Sequence, residues 1–550
     1  MAPTIAQIDL RMDDLERLVD RTRQAPLTED EHATLKAAIA TLGYVAQLLE
    51  QKGTTLAGLR HLLLGTQTEK TRDVLARAGI TADVAADAPD QPGDAAPTDA
   101  TAPRREPRRP GHGRRAADAY GGAAHVAVPH GHLHHGDRCP LCTTGKVYAQ
   151  RDPGLLIRLV GQPPITGTIY ELEKLRCNLC GELFTADPPP GVSREKYDAT
   201  TGAMIARLKY GTGMPFHRLE RLQADLQIPL PASTQWEIVD DLATCLRPIL
   251  AELIRQAANG EVLHNDDTSM TVLDLARPDA PRGDPDDVAP DRTGVFTSGI
   301  VATRDGHRVA LFVTGRHHAG ENLARVLAER TADLGPPIQM CDALSRNLPK
   351  PLAVIVGHCL AHARRHVGEV ASSFPAECRR ILETLGTVYH HDAEAREQGL
   401  APEARLAYHQ THSGPILMDL HGWLTAQLAD HLVEPNSSLG QAIAYLLNHW
   451  MPLTLFLRQP GAPLDNNICE RALKKAILHR KNALFFKTPN GAHVGDLFMS
   501  LIHTCELEGA NPFQYLTELQ RHADTLAANP TGWLPWNYQD ALATPTTTAG

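Results

Sequence analysis

Two sets of side chains in this sequence could do chemistry by type and spacing: carboxylates embedded in strand-like text, and a pair of cysteine knuckles. Asp266 and Asp267 interrupt the β-prone run EVLHNDDTSM, Asp342 ends PIQMCD, and Glu470 follows PLDNN at the head of a helix-like segment. Phosphodiester cleavage by metal ions needs about three carboxylates converging on cations ~3.5–4 Å apart. Oxygen ligands of this kind suit Mg2+ or Mn2+. A polyanionic substrate also needs cations nearby. Arg471, Lys474 and Lys475 follow Glu470 at helical spacing, then Arg480, Lys481 and Lys487, with Phe485 and Phe486 interleaved. That combination points to DNA. Each carboxylate has a structural reading as well. Asp266 and Asp267 are strand neighbours, so their side chains leave opposite faces and at most one meets a metal from a given face. Asp342 could instead cap the segment ALSRN. Asn467 precedes Glu470 by three residues, which is capping-box spacing.

The knuckles are CPLC at 139–142 and CNLC at 177–180. Cys139, Cys142, Cys177 and Cys180 supply four thiolates, the ligand set of tetrahedral Zn2+. Strand-like LLIRLVG and TIYELEKL between them suit a zinc ribbon. The other six of the ten cysteines are scattered singly, which fits a reduced cytosol with one metal site better than a disulfide framework. His125, His130, His132, His134 and His135 read as a surface tract, although one could replace a cysteine ligand. Directly before this module lies RREPRRPGHGRR, where Arg104, Arg105, Arg108, Arg109, Arg114 and Arg115 form an arm suited to phosphates. A zinc module can equally bind protein.

The elements that must position these residues follow from hydrophobic pattern. At 550 residues the chain exceeds what one core organises, so several domains are expected. Residues 1–70 read as helical, with Leu35, Leu42, Leu49, Leu56 and Leu63 in heptad register. Self-association as a coiled coil and docking on the chain's own domain both fit. Residues 71–115 form a disordered linker ending in the arginine arm, and 116–195 the four-cysteine zinc module. Residues 196–258 are helical, with FHRLERLQADL and ASTQWEIVDDLATCL as a possible helix-turn-helix. The second of these helices lacks Lys and Arg, so an ordinary helical hairpin serves as well. From 259 the text turns to strands: EVLHNDDTSM, VFTSGIVAT, HRVALFVTG, then after one helix PIQMCD and LAVIVGHC. This predicts a mixed α/β sheet over 259–370. A helical insertion follows over 371–455, then the Glu470 helix and basic segment over 456–500 and a helical C-terminal segment over 501–550.

The net charge of −10 does not exclude DNA, because a polyanion responds to local potential. Residues 81–100 hold five Asp and no Lys or Arg, whereas 104–115 hold six Arg and one Glu. No apolar run approaches the ~20 residues of a membrane span. The N-terminus MAPTIAQIDLRMDDLE lacks a signal pattern, so a cytoplasmic, nucleoid-associated protein is expected.

PLDNNICERALKKAILHRKNALFF, with GAHVGDLFMSLIHTCELEGANPFQYL after it, resembles the hallmark of the insertion sequence 66 family of bacterial DDE transposases. HGRR, both knuckles, HNDDTS, GRHHAGENL, GHCLAHARRHV and WLPWN extend the likeness through most of the chain. The resemblance implies an RNase H-like core interrupted by a helical insertion between the second Asp and the Glu. It assigns catalysis to Asp266, Asp342 and Glu470 with Mg2+. It also implies nicking at terminal inverted repeats, with the freed 3′-hydroxyls attacking target DNA and no covalent enzyme intermediate. A homo-oligomer holding two element ends is expected, and elements of this kind commonly encode accessory proteins. Cys359 and His362 in HCLAH match a Cys-x-x-His element of related transposases, where DNA placement and local packing are both open roles. The family usually shows Asp-Glu-Thr-Pro at the first strand. Here it reads Asp266-Asp267-Thr268-Ser269, so Asp267 stands where that Glu would.

Overall fold

A computed structural model of the chain describes residues 183–276 and 292–543, most of 126–178 and, ahead of them, Thr28. The leucine heptads, the linker, the six arginines of the arm, His125, His130, Cys177 and Cys180 lie outside the described residues. The chain divides into two units, one of residues 1–85 with 371–379, the other of 86–370 with 380–550. The second holds the sheet and all three candidate carboxylates.

The five strand segments expected from sequence are all present. After a small exposed hairpin of β1 (Lys174–Arg176) and β2 (Leu183–Thr185), the sheet is built from β3 (Val262–Ser269), β4 (Phe296–Arg304), β5 (His307–Gly315), β6 (Ile338–Cys341) and β7 (Ile355–His358). Their order is β5-β4-β3-β6-β7. β3, β4 and β5 run antiparallel as a meander, while β6 and β7 are parallel to β3. Asp305 and Gly306 join β4 to β5 with positive φ of 50° and 82°, the backbone that a two-residue hairpin turn requires. Val309, Ala310, Leu311 and Phe312 are buried in succession, so both faces of the sheet are covered.

Helices supply that cover. Before the sheet come α1 (Ala199–Ala206), α2 (Phe216–Asp225) and the long α3 (Ala232–Ala258). α3 turns Val239, Leu242, Leu246, Ile249 and Leu253 inward. α4 (Ala319–Leu327) lies between β5 and β6 in sequence, and α5 (Leu360–Val370) leaves β7. Then come α6 (Pro375–Glu397), α7 (Pro402–Ala429) and α8 (Ser438–Asn448), ahead of α9 (Asn467–Ala483) and α10 (Pro489–Leu507). α10 closes the sheet edge by an unusual means. The β5 amides of Phe312 and Thr314 donate to Ser500 Oγ at 2.9 Å and Asp496 Oδ2 at 2.6 Å, and that of Ala310 to Thr504 Oγ1 at 3.1 Å. Arg308 N–H reaches Glu508 just past the helix at 2.7 Å. Two strand residues (~6.7 Å) match roughly one helical turn, so side chains every fourth residue satisfy a row of edge donors that would otherwise invite another strand.

Candidate active site

Three elements distant in sequence bring the expected carboxylates to one end of the sheet. β3 and β6 are in parallel register through His264 and Met340. Two residues further along each strand, Asp266 and Asp342 therefore stand at the same level. Asp266 pairs with Gly299 on β4. Gly299 has no side chain where α9 crosses: an added Cβ would lie 3.0 Å from Leu473 Cγ. That close approach, with Cys469 Sγ donating to Gly299 O at 3.3 Å, sets Glu470 in the first turn of α9 over Asp266.

Electrostatics register the convergence. Burial pushes the Asp266 carboxyl up to about 7, and the charges of Asp342, Asp267 and Glu470 add to the rise against a hydrogen bond from the Asp267 amide. Asp342 Oδ1 accepts from Leu344 N–H at 3.2 Å and from the Asn347 amide, so it folds its own loop instead of capping an α-helix. Glu470 Oε1 is buried without a hydrogen-bond partner among the described residues. His362 Nδ1 stands 3.5 Å from it and Arg365 3.8 Å from the other oxygen. Cys359, His362 and Glu470 offer ligand atoms that all lie within 4.8 Å of one another. Asp266, Asp342 and Glu470 are set wider apart than that.

Asp267 faces elsewhere. Its buried carboxylate meets His318 Nδ1 at 2.8 Å, the Ala319 amide at 3.4 Å and Arg346 at 3.4 Å. It thereby ties β3 to the head of α4 and to the Asp342 loop. Asn467 forms no capping box: it bonds Asp465, by its amide N–H at 3.1 Å and its side chain at 2.9 Å. The neighbouring Asn466 takes the positioning part instead. Its side chain donates to Asn265 O at 3.1 Å and meets His264 Nδ1 at 3.1 Å, and its amide donates to Cys359 Sγ at 3.2 Å. A second buried chain runs from Gln339 to Asn265 Oδ1 at 2.8 Å, with both amides donating to Asn347 O at 2.6 and 2.9 Å. Sequence reasoning missed Asn265, Gln339, Asn347 and Asn466. The available signal was an amide inside otherwise apolar strand text, since a buried amide needs a buried partner.

The cations divide. Arg471, Lys474, Lys481 and Lys487 are exposed. Lys475 instead pairs with Glu506 at 2.8 Å beside His503, and Arg480 bonds Thr268 Oγ1 at 3.1 Å and Ser269 Oγ at 2.7 Å. Those two are committed to the fold rather than presented to a ligand, because side chains at their helix positions turn toward α10 and the β3 exit. On α3 the exposed charged residues are Glu237 and Asp241 in the first half and Arg247 and Arg255 in the second.

Of the four knuckle cysteines, Cys139 and Cys142 are described. They sit in a tight hairpin closed by Cys139 N–H to Gly145 O at 2.8 Å. Gly145 N–H points at Cys142 Sγ at 3.4 Å. Hydrogen bonds from the Gly145 amide, Cys139 and Thr144 bring the exposed Cys142 thiol down to about 7, favouring the thiolate a metal needs. His134 pairs with Asp137 at 3.5 Å and His135 lies edge-on to Tyr148.

The sequence model of the transposase IS66 family matches residues 194–494, which hold the sheet, all three carboxylates and the helices between them. The chain belongs to that family, and with it takes a transposase role. Relatives include three uncharacterized proteins of Sinorhizobium fredii. y4jD is 27% identical over 383 residues, 66% of this chain and 71% of that protein. y4hP is 27% identical over 392 residues, 68% of each, and y4qI 24% over 371, 62% of each. No helix among the described residues is long and apolar enough to cross a membrane.

Proposed function

We propose that this transposase is a DDE enzyme on an RNase H-like core, binding duplex DNA at terminal inverted repeats, freeing 3′-hydroxyls and joining them to target DNA. The observation that carries the reading is the raised Asp266 carboxyl, held at about 7 by burial and by charges on Asp342 and Glu470. Asp266 is poorly solvated and sits among the like charges of Asp342 and Glu470. A cation bound among them would offset the cost of that arrangement. The orphaned Glu470 Oε1 fits the same requirement. Asp266, Asp342 and Glu470 would hold Mg2+ or Mn2+, which when bound supplies Lewis-acid polarisation of the phosphate and of the attacking oxygen.

The chain's own residues do the rest. Asn265, Gln339 and Asn347 fix the Asp342 loop to β3, and Asn466 fixes the start of α9 to the same strand, so the carboxylates are preorganised before DNA arrives. His362 and Arg365 flank Glu470, where they can meet non-bridging phosphate oxygens. Arg471, Lys474, Lys481 and Lys487 offer cations to the backbone. Water and then a DNA 3′-hydroxyl serve as nucleophiles, so no side chain forms a covalent bond to DNA. The knuckles are assigned a structural Zn2+ held by Cys139, Cys142, Cys177 and Cys180. The leucine heptads are assigned to pairing of two copies at two element ends.

Incubation with element-end DNA, a target plasmid and Mg2+ tests this. Cleaved ends and joined products are expected, both lost in Asp342→Asn and Glu470→Gln while DNA binding persists. Full activity in either variant overturns the site assignment. Cleavage without joining would instead mark a nuclease, and binding without cleavage a regulator.

A further inference from the structure

The Glu470 helix ends in a tip that cleavage does not use. α9 buries Cys469, Ala472, Leu473, Ala476 and His479, while Arg471, Lys474, Leu478 and Lys481 are exposed. At about 100° per residue those four form one stripe. The chain then leaves the helix through Leu484, at φ 69° and ψ −42°, with Phe485 N–H donating to Ala483 O at 2.8 Å. This is a γ-turn of positive φ, a rare and strained conformation, here occupied by a branched residue. Leu484 is 65% exposed and Phe485 41%.

The turn is clamped on both sides. Leu484 N–H donates to Arg480 O, Phe486 N–H to Thr271 O, and Leu273 N–H to Phe486 O, each at 2.9 Å. Phe486 is buried and stacked on His479, ring centroids 4.1 Å apart. The surrounding structure thus maintains a strained backbone whose effect is to hold two large apolar side chains in water. Stability does not ask for this: glycine at 484 would adopt the same φ freely and expose nothing. Strain held against the fold's interest marks a functional position. Exposed Lys481 and Lys487 on either side select a polyanion as the partner.

We propose that Leu484 and Phe485 form a wedge that enters the base stack of the bound duplex, with Lys481 and Lys487 on the phosphates beside it. The wedge rests on the DNA reading above. Apolar side chains of this kind unstack a base step and bend the duplex. From Glu470 to Leu484 the helix rises roughly 21 Å at 1.5 Å per residue, the length of about six base pairs. The distorted step therefore falls within about that distance of the scissile phosphate.

The test uses the full-length protein in chelator-free buffer without added Mg2+ or Mn2+, which spares the zinc assigned to the knuckles, and duplexes of the element's end, each with one 2-aminopurine at a different position. Wild type should brighten one narrow region. Leu484→Gly and Phe485→Ala should lose the brightening and bind roughly tenfold more weakly, a factor of ~1.4 kcal/mol. Leu484→Gly should meanwhile keep or raise the melting temperature, and Lys481→Ala should flatten the salt dependence yet retain the brightening. Binding with no brightened position overturns the wedge and leaves DNA binding standing, whereas no binding at all overturns both. Wild-type fluorescence in Leu484→Gly, a lower melting temperature, or a changed oligomeric mass without DNA each assigns the tip to another role and refutes the proposal.

Discussion

Replacing Gly299 by alanine tests whether close packing under α9 is what aims Glu470. An added Cβ would lie 3.0 Å from Leu473 Cγ and Cδ2 and 3.4 Å from Cys469 Sγ. Carbon atoms rest at about 3.5–4.0 Å, so Leu473 or the helix must retreat by roughly 0.5–1 Å. Leu473 is itself buried at 3% exposure and cannot swing into solvent. Overpacking of this kind costs about 1–3 kcal/mol, a few degrees in melting temperature for a domain of this size. The protein stays folded. Glu470 lies one turn before Leu473, however, and a displacement of about 1 Å at a reacting group costs on the order of 10²-fold in rate. Gly299→Ala should thus bind element-end DNA normally and cleave it roughly 100-fold more slowly on a sequencing gel. Adding Leu473→Ala removes the obstructing atoms, so the double variant should cleave faster than Gly299→Ala alone, with a coupling of about 0.5–3 kcal/mol. If Gly299→Ala cleaves within roughly twofold of wild type, or Leu473→Ala gives no recovery, the packing argument is wrong.

Asp267→Asn should lower the melting temperature through loss of about 1–3 kcal/mol of buried, charge-assisted hydrogen bonding while keeping measurable cleavage, whereas Asp266→Asn should abolish cleavage; equal loss from both would make Asp267 a direct participant. On α6, burial alone would raise the Asp392 carboxyl, but the hydrogen bond it accepts from His409 and the charges of Arg405 and Arg396 outweigh it and hold it at about 2. A carboxyl depressed in the folded state stabilises above its unfolded value and loses that contribution as pH falls through its folded value. Melting temperature should therefore drop between about pH 4 and pH 2 by the equivalent of roughly 2 kcal/mol, and Asp392→Asn should flatten that part of the profile. Metal analysis of gently purified protein should find about one Zn2+ per chain, falling sharply in Cys142→Ser; less than half an equivalent in wild type, on the order of background for a four-cysteine site, removes the zinc assignment.

Much of the sheet and of the candidate site was legible because it is written in local chemistry. Five strands announced themselves by β-branched runs and by the Asp305-Gly306 turn, Asp266 and Asp342 stood out as acids in or at the end of such runs, and Glu470 as the acid heading a basic helix. Side chains whose importance lies in what they touch were not legible. Asn466 and Asn467 are adjacent and chemically identical; only the crossing of α9 over β3 turned one toward Asn265 and His264 and left the other with Asp465. Lys475 and Lys481 read alike as cations on a basic helix, yet the packing of α10 set Glu506 against the first. Ser500 and Thr504 looked like ordinary polar residues in a helix until β5 brought a row of unpaired amides to them. By itself the sequence determined the family, the order of strands and helices, and which acids could meet. The tertiary structure alone decided that Asp342 and Glu470 stand near enough to Asp266 for their charges to act on it, which amides hold those elements there, and that Leu484 and Phe485 are exposed, because each of those outcomes depends on residues far apart in the chain arriving at one place.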